Sequence, residues 1–291
     1  MMTDKLVILA GGASSRMKQD VAGNTELTEA QKKQANKRSK SLISIGNNNR
    51  PFMDYLLYHA KKAGYRTIYI ITGKQNELFK SFYGKKDKGN RFNGLTINFA
   101  VQMIPEGREK PLGTADALYQ AMNQYDELKS SSFTICNSDN LYSVIALSLL
   151  REFNQSPNAL ISYDRDSLDF TEDRIAKFAL MQFDDHHYLI DIIEKPSLDK
   201  VHHFRDKEGK LRVSMNIFKF DGSLFFKYVK DCPLHPIRKE KELPTALLNM
   251  IKDHPNDTRV IPLSEHVPDL TSKDDILTIK RYVETIDLSQ W

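Results

Sequence analysis

The 291 residues include two cysteines, Cys136 and Cys232, and no Cys-x-x-Cys. That count argues against a disulfide framework and against a cysteine-based zinc site. No apolar run approaches the roughly 18–20 residues that cross a bilayer. The opening MMTDKLVILAGG has an apolar stretch too short for a signal-peptide core, with no cleavage-like site after it. A reducing, cytoplasmic setting without a membrane partner is therefore expected. Charge of one sign is also missing. Lys+Arg 42 against Asp+Glu 38 leaves a formal +4, which suits a small anionic ligand and does not call for a nucleic acid. No period of 20–50 residues recurs, so solenoid architectures are not expected. Neither Gly-x-Gly-x-x-Gly nor Gly-x-x-x-x-Gly-Lys-Ser/Thr occurs after the first strand, which leaves simple dinucleotide binding and P-loop hydrolysis without support.

What is present is ordinary globular composition. Hydrophobic residues make up 40% and charged residues 27%, enough to build a core and too balanced for wholesale disorder. The length fits one large domain or two merged ones. Leu6–Ala10 is a continuous apolar run that stops at a glycine pair, as a buried parallel strand does. Phe52–Lys62 has helical spacing, Thr67–Thr72 reads as a strand, Asn76–Phe82 as a helix and Leu95–Gln102 as a strand. Ala115–Tyr125 is a helix, and SFTICNSDN holds a buried strand ending before Asn137. This alternation predicts a right-handed, mostly parallel α/β sheet flanked by helices. NALISYD, FALMQF, YLIDIIEK and VSMNIFKF predict a more mixed or antiparallel extension. DDILTIKRYVETI predicts a final helix with Thr271 or Ser272 as N-cap. The polar stretch 18–40 has few large apolar residues. It is expected outside the core as a mobile insertion over 18–39, with a short helix near Thr28–Asn36. Its Lys32, Lys33, Lys37, Arg38 and Lys40 would make it a basic lid if it covers an anion.

The chemistry-bearing residues come in six groups. After the first strand stands Gly11-Gly12-Ala13-Ser14-Ser15-Arg16-Met17, where small residues let backbone N–H groups approach phosphate and Arg16 adds a charged fork. Lys40 could fold back onto the same phosphates. In Pro111-Leu112-Gly113-Thr114, Thr114 is a candidate N-cap, and the helix start could face a base or phosphate. Gln102 has an amide suited to a base edge. Asp139, in Asn137-Ser138-Asp139-Asn140, lies where ligands sit in an open α/β sheet and suits Mg²⁺. In Glu194-Lys195-Pro196, Glu194 can accept from sugar hydroxyls and Lys195 can hold a phosphate. Asp269, before the last helix, is a candidate second metal carboxylate.

Taken in order, LAGGASSRM, SKSLISIG with RPFMDYLL, PLGTADAL, NSDN, IIEKP and VPDLTSKDDI resemble the sugar-1-phosphate nucleotidyltransferases, from about Leu6 to Tyr282. The stretch Lys241–Ile251 is similar to the helical segment of uridylyl- and thymidylyltransferases. The resemblance implies a Rossmann-like nucleotidyltransferase fold, in which a nucleotide half (about 1–140) and a sugar-phosphate half (about 141–291) form one catalytic domain. It leaves no room for the appended repeat domain that some relatives carry. It also implies transfer of a nucleoside monophosphate from an NTP, with UTP or dTTP favoured, to a sugar 1-phosphate, with Mg²⁺ and pyrophosphate release. Carried over by position, Gly11 and Gly12 would line the nucleotide, with Gln102 and Gly113 facing the base. Arg16 and Lys40 would meet the triphosphate. Asp139 and Asp269 would hold Mg²⁺, Glu194 the sugar hydroxyls and Lys195 the sugar phosphate.

Three departures qualify this pattern. Ser14 replaces a third glycine, as in molybdenum-cofactor guanylyltransferases and related cytidylyltransferases. Asn216 stands where the sugar enzymes have glycine, which alters the sugar pocket. The long insertion displaces Lys40 from its usual spacing. Transfer to a non-sugar phosphate, a related metal-dependent glycosyltransferase and a non-catalytic nucleotide-sugar sensor are the alternatives. A homo-oligomer is compatible with all of them.

Overall fold

The computed structural model describes all residues except 1, 13, 20–26, 47–49, 195–200 and 290, and the side chain of residue 202. Its strands are β1 (Lys5–Leu9), β2 (Thr67–Thr72), β3 (Asn90–Phe92), β4 (Leu95–Val101), β5 (Ser132–Asn137) and β6 (Asn158–Asp164), followed by β7 (Leu180–Phe183), β8 (Leu189–Ile193), β9 (Arg212–Val213), β10 (Ile217–Asp221) and β11 (Thr258–Leu263). Its helices are α1 (Glu29–Lys37), α2 (Phe52–Lys62), α3 (Glu77–Tyr83), α4 (Thr114–Gln124) and α5 (Glu127–Ser130), then α6 (Val144–Glu152), α7 (Glu172–Ile175), α8 (Gly222–Lys230), α9 (Leu243–Asp253) and α10 (Asp275–Val283).

All eleven strands join one sheet in the order β3-β4-β2-β1-β5-β10-β6-β9-β7-β8, with β11 beside β6. The segment β4-β2-β1-β5 is parallel. Beyond it, β10 runs antiparallel to both β5 and β6. The sheet is buried on both faces, which explains the unbroken apolar run of β1. Leu6 and Ile8 face a core containing Phe52 and Leu56 of α2. Val7 faces the opposite core with Leu118 and Ala121 of α4, because successive strand residues point to opposite sides.

Four expectations change. The single strand expected over 213–220 is split into β9 and β10, because Asn216 takes a left-handed φ of 56° and cannot continue the pleat. The Tyr142 hydroxyl donates to the Met215 carbonyl at 2.7 Å, satisfying a group that the broken ladder leaves open. The N-cap of α4 is Gly113, and Thr114 instead accepts from the Leu243 amide at 3.0 Å. Thr271 and Ser272 do not cap α10. Their amides donate to the Asp275 carboxylate at 2.8 and 2.6 Å. The fourth concerns the polar insertion. Its helix forms as α1, started by a Thr28–Gln31 capping box, and Leu27 and Ala35 are buried in the core beside α2. Residues 20–26 lie outside the described set. Strands β3 and β11 had no counterpart in the sequence reading. TRVIPL contains a proline and follows a turn, so its strand character rests on its parallel pairing with β6.

Candidate active site

The site starts where β1 and β5 end. Ala10 N donates to Ile71 O at 2.8 Å, and Ser138 N donates to Leu9 O at 3.1 Å, so both following loops leave the sheet at one level. Gly11 packs against the end of β2. A Cβ there would meet Gly73 N and Thr72 C at 3.4 Å, while one at Gly12 would meet nothing. The chain then turns, with Lys18 N on Ser14 O at 3.2 Å and a left-handed Ser14 (φ 55°). Met17 is buried and pins this turn, which leaves Arg16 exposed. Arg16 makes no side-chain hydrogen bond among the described residues.

Beside this loop, Gly11, Gly12, Gln102 and Gly113 line a cavity of about 310 Å³, together with Lys110, Glu240 and Glu242. Gly113 is required by geometry. Its φ is +113°, and a Cβ would lie 2.3 Å from Lys241 O. The close approach is a backbone clasp in which Lys241 N donates to Leu112 O and Ala115 N donates to Lys241 O at 3.0 Å. Gln102 is buried and donates through Nε2 to Gly113 O at 3.0 Å and Asp116 Oδ2 at 2.8 Å.

The second part of the site joins residues distant in sequence. Residues 139–141 run antiparallel to 268–270 through an Asn140–Asp269 bridge. Leu270 N donates to Asp139 O at 2.8 Å and Leu141 N to Pro268 O at 2.9 Å. Asp139 and Asp269 thereby line one cavity of about 240 Å³ with Arg16, Lys177, Arg174 and Asn216. Each carboxylate holds a cation. Lys40 Nζ lies 2.8 Å from Asp139, and Arg174 Nη2 lies 2.9 Å from Asp269. Thr271 Oγ1 donates to Asp269 Oδ1 at 2.9 Å. Burial first, then the negative charge of Asp139, pushes the Asp269 carboxyl above its usual range, while Arg174 and Thr271 pull it back. The two acids face one cavity partly desolvated, and each carboxylate keeps oxygens that could turn to a cation. That fits Mg²⁺, which takes one or two carboxylates and completes its shell with water and phosphate oxygens.

Most of the expected residues converge. Lys40 and Asp139 also share a cavity of about 190 Å³ with Gly12 and Ser14, so it adjoins the glycine loop. Glu194 lies apart, paired with Arg238 at 2.7 Å, and Arg238 also holds Glu242 at 2.6 Å. Lys195 lies outside the described residues. The sequence reading missed Arg174, Lys177, Asp116 and Arg238. A Lys or Arg in a charged turn such as TEDRIAK carries no local mark that separates it from an ordinary surface cation. Asp116 did have a signal, an acid in the first turn of a helix that opens on Gly113.

This is an α/β protein with a glycine loop and a cavity lined by Asp139 and Asp269 at the carboxyl ends of parallel strands. The chain belongs to the nucleotidyl transferase family, whose model matches residues 5–284. It is 27% identical over 233 residues to a glucose-1-phosphate adenylyltransferase of Aliivibrio fischeri (strain MJ11), covering 78% of this chain and 52% of that protein. It is 28% identical over 96 residues to the D-glycero-alpha-D-manno-heptose 1-phosphate guanylyltransferase of Aneurinibacillus thermoaerophilus, covering 33% and 36%. The chain thus spans about half the length of the adenylyltransferase it matches. Among solved structures, UDP-glucose pyrophosphorylase complexed with UDP-glucose superposes with a TM-score of 0.69 at 12% identity, covering 98% and 99% of the two chains. A Bacillus anthracis structure carrying the name glucose-1-phosphate thymidylyltransferase gives 0.66 at 19%, covering 98% and 97%. At these identities the likeness concerns the fold.

Proposed function

We propose that the protein transfers a nucleoside monophosphate from an NTP to a sugar 1-phosphate, forming an NDP-sugar and pyrophosphate. The observation that carries this reading is the Asp139–Asp269 pair in a cavity continuous with exposed Arg16 and Lys177, next to the glycine loop. The acceptor phosphate is already a nucleophile at neutral pH, so no side-chain base is needed. The task is to bring two polyanions together in line and neutralise them. Gly11 and Gly12 present backbone to the triphosphate, and Gln102 and Gly113 face the base. Arg16 and Lys40 neutralise the triphosphate. Asp139 and Asp269 hold Mg²⁺, which supplies further neutralisation of the reacting phosphates when bound.

Residues up to about 140 serve the nucleotide and later ones the sugar phosphate. Lys177 joins Lys195 as a cation for the acceptor phosphate, and Asn216 shapes that pocket. Glu194 becomes available to sugar hydroxyls when Arg238 turns to Glu242 alone. Similarity to adenylyl-, guanylyl-, thymidylyl- and UDP-sugar enzymes leaves UTP or dTTP as one choice among several. No described helix is long and apolar enough to cross a membrane.

The test is pyrophosphate release across an NTP and sugar 1-phosphate panel with Mg²⁺. Asp139→Ala is expected to lower turnover by about a hundredfold or more while the fold is kept, because it removes charge stabilisation at the reacting phosphates. Near-normal release by that variant would sink the metal assignment.

A further inference from the structure

Gln102 is the polar side chain most deeply set in the base-side cavity, and its amide orientation is forced. Its Nε2 contacts the Gly113 carbonyl at 3.0 Å and the Asp116 carboxylate at 2.8 Å. Both partners only accept, so the NH₂ must face them, and a flipped amide would set its oxygen against two acceptors. Asp116 is itself buried and held. Gln120 Nε2 donates to the same Oδ2 at 2.9 Å. Gln120 is oriented in turn by Met103, whose backbone N–H donates to Gln120 Oε1 at 2.8 Å. A backbone amide therefore fixes one glutamine, the carboxylate joins it to the second, and the second has a single allowed orientation. Its Oε1 is left on the Gly11 side, 3.7 Å from where a Cβ on Gly11 would stand, and both residues line the cavity.

We propose that Asp116 is a positioning residue for nucleotide selection: it holds Gln102 so that the cavity is offered only an acceptor, and the bound base must turn an N–H donor toward it. The inference rests on the reading that this cavity takes the base. Asp116 touches no substrate and acts through Gln102. Uracil and thymine supply such a donor as N3–H, guanine as N1–H, and adenine and cytosine as their exocyclic amino groups. A base with only a lone pair or a C–H at that position leaves a buried oxygen unpaired.

The experiment uses the full chain and isothermal titration with ATP, GTP, UTP, dTTP and CTP. The preferred NTP is then compared with the analogue that has lost its donor, by ring C–H for N–H or hydrogen for amino. The wild type is expected to bind that analogue at least tenfold more weakly. In Asp116→Ala, and in Asp116→Leu as a second variant, no acceptor at this position holds the Gln102 amide, the Gly113 carbonyl is left as its single anchor, and the gap is expected to shrink below threefold. A merely structural role would weaken both nucleotides alike and keep the tenfold ratio, which overturns the proposal. Wild-type binding of parent and analogue with equal affinity also overturns it, while leaving the transferase reading in place. Absence of any NTP binding by the wild type overturns that reading as well.

Discussion

Gly113→Ala tests the clasp between the two halves of the chain. At φ +113° and ψ −178°, Gly113 occupies backbone space that is essentially glycine-only, and a side chain there costs about 1–3 kcal/mol. The added methyl would also lie 2.3 Å from Lys241 O, 2.8 Å from its N and 2.9 Å from its C. These are backbone atoms, so relief requires moving the 241–243 segment. That movement strains the Lys241–Leu112 and Ala115–Lys241 hydrogen bonds, worth about 1 kcal/mol each. The sum is about 3–5 kcal/mol. An unfolding entropy of about 2.1 cal/mol/K per residue puts that at a drop of about 5–8 °C in Tm for a chain of this length. Gly113 O also accepts from Gln102, so NTP affinity is expected to fall about tenfold, the loss of one well-placed hydrogen bond to a buried amide. Differential scanning calorimetry and NTP titration measure the two effects. A variant that melts within 1 °C or so of the parent and binds NTP equally would refute the geometric reasoning, since both costs in the estimate would then be absent.

Two further outcomes follow from charge. Arg174 is held over the Phe170 ring at 4.3 Å and by Asp275, and it fixes Asp269 through both carboxylate and carbonyl. Arg174→Met is expected to raise the Mg²⁺ needed for half-maximal activity about tenfold, the usual effect of losing a residue that orients a metal ligand. Mn²⁺ binding to the protein alone should weaken in parallel, and an unchanged Mn²⁺ affinity would count against it. Glu265→Gln concerns pH. Burial raises the Glu265 carboxyl above 4.5, with the Ser143 hydroxyl pulling it back, so the folded chain holds the proton more tightly than the unfolded one. Its stabilising contribution is present below pH 4.5 and is lost as pH rises through the raised value. The glutamine variant lacks that loss, so its stability relative to the parent should grow from pH 4 to about pH 8 in urea melts, a linkage effect. Parallel curves would remove Glu265 from the account.

Much of the structure up to about residue 140 was readable because its information is local. An apolar run ending at Gly11-Gly12 defines a buried strand and its loop within about ten residues. Helical spacing over Phe52–Lys62 and Ala115–Tyr125 is equally short-range. Gln102 and Asp139 were candidates because the ends of parallel strands are where ligands sit. The carboxylate pair is different. Asp269 was a candidate from its motif, but only the antiparallel bridge to Asn140 places it beside Asp139. The same holds for the cations. Arg174 and Lys177 resemble many other surface charges until the fold brings them to one cavity with Asp139 and Asp269, Lys40 reaches Asp139 from the neighbouring one, and Arg238 captures Glu194 from a loop far along the chain.

Strand 213–220 shows a similar limit. Its composition favours a strand throughout, yet a left-handed Asn216 cuts it, and the Tyr142 hydroxyl supports the cut from another element. Periodicity, glycine freedom and capping act over a few residues, so the sequence by itself determined the α/β order, the glycine loop and the family. Charge pairing and sheet order act across space, with chain separation imposing no rule on who meets whom. Only the tertiary structure decided which acid faces which cation and which way the Gln102 amide points.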